Sequence, residues 1–147
     1  MKSAIVLILL GLIGFCYKHM TIQPTPSMSH SLYWRSSVTP QKGDAVNFSF
    51  THPLVLGGRS VLFLKRLACV EGDTLTVGSN GYYSCNDKVI GSGTQIVIGD
   101  TTIDNFKFNG VIPKGMGFVL GDSPDSFDSR FWGFKPLSEM TRLIPLI

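Results

Sequence analysis

The longest uninterrupted apolar stretch comes first. After Lys2 the chain runs SAIVLILLGLIGFCY from Ser3 to Tyr17, without a charge. As a helix this stretch is roughly 22 Å long, short of the ~30 Å hydrocarbon core of a bilayer. Continued to Ile22 it reaches about 30 Å, with Lys18 and His19 reaching back to the interface. A removed signal peptide begins in the same way but ends on a small-x-small site. Phe15-Cys16-Tyr17-Lys18-His19 offers none, and an acylated Cys16 needs a small residue where Phe15 stands. The pattern therefore predicts an uncleaved membrane anchor over residues 1–22 and one folded domain over residues 23–147.

The period then changes. Residues 23–34, QPTPSMSHSLYW, carry two prolines and read as a loop. Beyond them, short β-type runs alternate with Gly, Asn and Asp. The runs are Ala45–Phe50, Ser60–Val70, Thr74–Val77, Tyr82–Ser84, Val89–Ile90, Gln95–Ile98, Phe106–Ile112 and Gly117–Leu120, with Met140–Ile147 a possible last strand. No segment after residue 22 holds a helical apolar period for three turns. The expected fold is mainly β: an antiparallel barrel-like or folded-over sheet behind one N-terminal helix.

Composition and charge narrow the function. A chain with 44% hydrophobic and 16% charged residues folds rather than staying disordered. The net charge of +3 is uneven. Lys2 to Arg66 holds seven Lys/Arg against Asp44 alone, while Leu67 to Ile147 holds six against nine acids. The basic front half suits an anionic lipid surface. It shows no interleaved aromatic stripe and no nucleic-acid motif. Cys16, Cys69 and Cys85 lack CxxC spacing, and His19, His30 and His52 lack HxxxH spacing, so no metal or other cofactor is expected.

Ser60–Val70 carries the first chemical signal. As a strand it places Val61, Phe63, Lys65, Leu67 and Cys69 on one face, with Lys65 the single charge among apolar neighbours. A lysine held there loses water, its pKa falls, and the neutral amine becomes a general base. The competing reading has Lys65 reach out to solvent. A base needs a nucleophile, and Ser27 lies in the proline-rich loop. Ser-Lys dyads work without histidine. The Thr25 hydroxyl, with the Ser27 amide, is a candidate oxyanion hole. A third cluster runs from Gly121 to Gly133. There Ser126 can hydrogen-bond a lysine amine, and Asp128 and Arg130 can pair to brace the loop. Its alternatives are a solvated acidic turn or a cation loop, but DxDxDG spacing is absent. Cys69 and Cys85 both lie in the domain and predict a disulfide if it is exported; the alternative is a plain buried Cys69 thiol.

Together these segments resemble the type I signal peptidase family (S26) of Ser-Lys membrane peptidases. Thr25-Pro26-Ser27-Met28 is similar to the family's serine box. Leu64-Lys65-Arg66 through Gly72-Asp73 is similar to its lysine box, and Gly121–Gly133, with SFDSRFWG at Ser126–Gly133, to its C-terminal box. Lys42-Gly43-Asp44-Ala45-Val46 also fits a family turn. The resemblance covers about residues 24–136. Thr-x-Ser-Met followed by Tyr33 is similar to the TraF-type conjugal transfer peptidases, although Ser29 stands where a proline is usual and Ser31 where that branch usually has glycine. The resemblance implies a β-rich periplasmic domain on a single-pass bacterial inner-membrane anchor. It implies cleavage of membrane-inserted exported precursors, notably pilins, by Ser27 and Lys65. The short reach from Ile22 to Ser27 places the nucleophile near the bilayer. A shallow apolar pocket for small residues is expected, with Met28 as a wall or, alternatively, as packing against the bilayer. Four other readings stay open: a general type I signal peptidase, a LexA-like self-cleaving protein, a non-catalytic membrane-anchored pilus or secretion assembly factor of the same fold, and a Ser-His-Asp triad using His30 or His52 with Asp44.

Overall fold

The computed structural model describes residues 2–23 and 27–147. Helix α1 spans Lys2–His19. It ends earlier than the apolar segment does, because Met20–Ile22 is not helical. These three residues form strand β1, paired antiparallel with β2 (Leu32–Ser36). The helix expected to continue to Ile22 therefore ends at His19. The loop expected through Trp34 is likewise shortened: Leu32-Tyr33-Trp34 alternates in burial as a strand does, with Tyr33 inward. Among the described residues no helix is long and apolar enough to cross a membrane.

The remaining strands are β3 (Ala45–Phe50), β4 (Val61–Val70), β5 (Thr74–Val77), β6 (Tyr82–Cys85), β7 (Lys88–Ser92), β8 (Ile96–Ile98), β9 (Thr101–Ile103), β10 (Gly110–Val111), β11 (Met116–Leu120), β12 (Lys135–Pro136) and β13 (Thr141–Pro145). One turn of helix, α2 (Ser129–Trp132), is capped by Asp128. A seven-stranded antiparallel sheet has the order β1-β2-β13-β3-β4-β11-β12, and a smaller one the order β10-β5-β6-β7. β8 and β9 form a separate hairpin. Among the described residues nothing pairs β1 with β12, so the large sheet is open and not a closed barrel. Phe106–Ile112, expected as one strand, contributes only Gly110–Val111.

Strand β4 connects the layers. Lys65 pairs with Val46 of β3 and shares its face with Phe63 and Leu67, where Val46, Phe48, Leu67 and Val119 form one core. Further along, Leu67 pairs with Val119 but Cys69 pairs with Phe118, so Ala68 is an extra residue in the ladder. Such a bulge reverses the alternation. Cys69 therefore does not share the face of Lys65, as strict alternation predicts. It turns into the core between the sheets, with Leu75, Tyr83 and Phe118. There it is bonded to Cys85 of β6, with the Cα atoms 5.9 Å apart. Free Cys16 is exposed on α1.

Candidate active site

Lys65 sits in the middle of β4 and is only 6% exposed. Its Nζ donates to Ser126 Oγ at 2.9 Å and lies 5.0 Å from the centre of the Phe63 ring. Burial lowers its pKa below the ordinary lysine value. The Asp128 and Asp122 charges oppose that shift, and the Arg130 charge adds to it. The side chain does not reach out to water, because Val46 and Phe63 flank it on a covered sheet face.

Ser126 owes its position to the loop between β11 and α2. Asp128 is fully buried and organises that loop. Its Oδ2 accepts from the Gly121 amide and from Arg130 Nη2, both at 2.8 Å; its Oδ1 accepts from Arg130 Nε at 2.8 Å. The Arg130 guanidinium continues to the carbonyls of Ser92, at 2.9 Å, and Ser126, at 3.3 Å. With every face of the ion pair engaged, it fixes the loop's shape at the cost of desolvating two charges.

Ser27 approaches from the other side. Its carbonyl accepts from the Asp122 amide at 2.8 Å. One Asp122 carboxylate oxygen accepts from the Ser29 amide at 2.9 Å, and the other from Arg66 Nε at 3.2 Å. Burial pushes Asp122 upward, but these hydrogen bonds outweigh it and hold the carboxyl below its usual range. The segment after Pro26 is thus tied to Gly121-Asp122 on both sides of Met28. Gly121 marks the point of convergence. A Cβ there would overlap the Ser126 hydroxyl and lie 3.1 Å from the Ser27 carbonyl. The Ser27 backbone and the Ser126 hydroxyl that receives Lys65 therefore converge on one turn. Asp122 as the tether was not anticipated from sequence, nor was Gln23, whose Nε2 donates to Ser27 Oγ at 2.9 Å. Gln23 belongs to no recognised motif. Its only sequence signal is its place four residues before the serine.

The other candidates fall as follows. Thr25 lies outside the described residues. Met28 is buried with Tyr33, Leu64 and Leu143, packing the serine loop onto the sheet. It also borders a cavity of about 360 Å³. The Arg66–Asp122 and Arg142–Asp44 ion pairs line the same cavity. His30 interacts with Ser29, and His52 stacks on Phe50. Asp44 pairs with Arg142, so no described contact links it to either histidine. Cys69, Asp73 and Cys85 cluster, but the two sulfurs are bonded to each other and are not free to hold a metal ion.

No curated protein matches the chain significantly. Among solved structures, a signal peptidase I from Enterococcus faecalis V583 is similar at 23% identity and a TM-score of 0.45, over 74% of this chain and 99% of that one. The family model described as "Signal peptidase, peptidase S26" matches residues 2–142, nearly the whole sequence. The chain thus belongs to the S26 signal peptidase family and is a serine endopeptidase.

Proposed function

We propose that Ser27 is the nucleophile and Lys65 the general base of this peptidase. The observation that carries the reading is the buried Lys65 amine, hydrogen-bonded to Ser126 beside the turn that also holds Ser27. Ser27 Oγ attacks the scissile carbonyl while neutral Lys65 takes its proton. The resulting ammonium then gives a proton to the leaving amine. Ser126 orients Lys65, and the Asp128–Arg130 pair holds Ser126 in place. The Ser27 amide, with Thr25, serves the oxyanion. Met28 shapes the wall on which a small residue before the cut rests. The acyl-enzyme is resolved by water or, in cyclisation, by a substrate amine.

The substrates of a signal peptidase are exported preproteins. We assign this chain more narrowly to propilin maturation in a conjugative transfer system, on the TraF-like spacing from Thr25 to Tyr33. We also assign α1 to the bacterial inner membrane as a single-pass anchor, with the catalytic domain on the periplasmic side. Its apolar side chains are exposed all round, from Ile5 at 55% to Phe15 at 53%. A helix with no polar face belongs in a core or a bilayer. Its 18 residues make about 27 Å, so local bilayer thinning or snorkelling closes the gap. Co-expression with a candidate propilin, read by mass spectrometry, tests the assignment. Loss of the leader mass with the wild type and its retention with Ser27→Ala are expected. Processing of ordinary preproteins but not of propilins would return the enzyme to general signal peptidase work.

A further inference from the structure

We infer that Gln23 is a catalytic residue of this peptidase, a side-chain donor to the oxyanion formed when Ser27 attacks. The inference rests on the reading of Ser27 as nucleophile. Gln23 follows β1 directly, and its amide donates to the Ser31 carbonyl at 2.8 Å. Ser31 leads into β2, so this bond closes the loop that carries Ser27 at its base. The backbone of Gln23 is therefore held by the sheet rather than by the loop. From that fixed point its carboxamide reaches four residues forward and donates Nε2–H to Ser27 Oγ at 2.9 Å.

The chemistry follows from what attack does to that contact. The Oγ–C bond forms, the Oγ proton passes to Lys65 Nζ, and the carbonyl π pair moves onto oxygen. The new oxyanion and Oγ then sit on the same tetrahedral carbon, as next neighbours. A donor within hydrogen-bond reach of Oγ is a small side-chain rotation away from the oxyanion. In the resting enzyme the amide meets a neutral hydroxyl; in the transition state it meets a developing negative charge, and charge-assisted bonds are about twice as strong. The interaction strengthens during the reaction, which is the condition for lowering a barrier rather than only binding substrate. A carboxamide N–H does not titrate near neutral pH, so it donates over the whole working range.

The test uses the full-length enzyme in detergent with a soluble Ala-X-Ala peptide and two analogues of it. The first is an aldehyde that forms a hemiacetal with Ser27, and the second is the corresponding alcohol, which cannot. Gln23→Glu keeps the shape and removes the donor; Gln23→Leu removes the polarity, and thermal unfolding checks that both fold. Expected is a fall in kcat of roughly 10²–10³, the usual loss for one oxyanion donor. KM should hold, aldehyde affinity should fall in parallel with kcat, and alcohol affinity should be unchanged. Equal losses for aldehyde and alcohol would overturn the inference and make Gln23 a brace of the loop. So would unchanged kinetics in both variants. If the wild-type enzyme forms no hemiacetal at Ser27, the nucleophile assignment itself falls, and this inference with it; Ser27 bonded but indifferent to Gln23 sinks the inference alone.

Discussion

At Lys65 the fold keeps a cation-forming group out of water, and that decides when it can act. Only a neutral amine can take a proton, as the base role proposed for Lys65 requires. Burial lowers the Lys65 pKa, so the neutral fraction becomes useful below the pH at which a surface lysine would serve. kcat/KM should therefore rise with pH along a single acid limb whose midpoint lies below 10.5, the ordinary lysine value. A limb at 10.5 would place Lys65 in solvent. Lys65→Ala and Lys65→Arg should both abolish cleavage, the second because arginine does not deprotonate. The same burial affects stability. With the folded pKa depressed, the unfolded chain binds more protons between the two pKa values. Stability is then lost as pH falls from 10.5 toward the folded value. A Lys65→Met variant should accordingly unfold at higher temperature than the wild type at neutral pH, and the difference should shrink as pH rises toward 10.5. Lys65 was legible in the sequence because one charge in an alternating apolar strand has few places to go. Gln23 was not, since a glutamine in a loop has no pattern, and its contact depends on the closure of that loop onto β2.

Elements explain why the site is built where chain segments cross. Ser27 belongs to the β1–β2 connection, Lys65 to β4, and Ser126 to the β11–α2 loop. Gly121 lets Ser126 and the Ser27 carbonyl approach, because no side chain stands between them, and Ser126 in turn receives Lys65. Gly121→Ala should displace both Ser126 and the Ser27 loop. A loss of activity of at least ten-fold is expected, with a lower melting temperature; wild-type kinetics would mean that the loops close independently of this turn. The bulge at Ala68 is the other element-scale device. It lets β4 present Lys65 to one layer and Cys69 to the other. The bridge to Cys85 closes a 16-residue separation, worth about 3 kcal/mol in the chain-entropy model. Cys85→Ser should lower stability by about that much. A change below roughly 1 kcal/mol would assign the holding of the small sheet to its apolar core. Strands such as Ala45–Phe50 and Thr74–Val77 were legible from β-branched and aromatic runs between turns. The bulge was not, because the extra residue shows only once β11 is laid beside β4. β1 was hidden for another reason: Met20-Thr21-Ile22 continues an apolar helix in sequence, and only β2 turns it into a strand.

The whole molecule joins an apolar helix to a peptidase sheet without a linker. α1 ends at His19 and β1 begins at Met20. Trp34 of β2 stacks on His19 at 5.2 Å and tilts against Phe15 at 5.7 Å, so the end of the helix is fastened to the sheet edge. The same edge strand leads through Gln23 to Ser27. Under the proposed anchor and nucleophile, the height of Ser27 above the membrane is set by this joint. A precursor whose leader helix is still inserted presents its cleavage site at a fixed depth, whereas a soluble peptide does not. An insertion meant to test this belongs between His19 and Met20. An insertion after Ile22 is unsuitable, because it would move Gln23 away from its bonds to the Ser31 carbonyl and Ser27 Oγ. Ten flexible Gly/Ser residues at His19–Met20 would add an end-to-end distance of roughly 17 Å. Cleavage of the membrane-inserted precursor should drop several-fold, while kcat/KM for a soluble cleavage-site peptide stays at the wild-type value. Equal rates on both substrates would show that the joint carries no positional information. Equal losses on both would show that the insertion had damaged the domain through the Trp34 contact, and Trp34→Ala alone should then reproduce them.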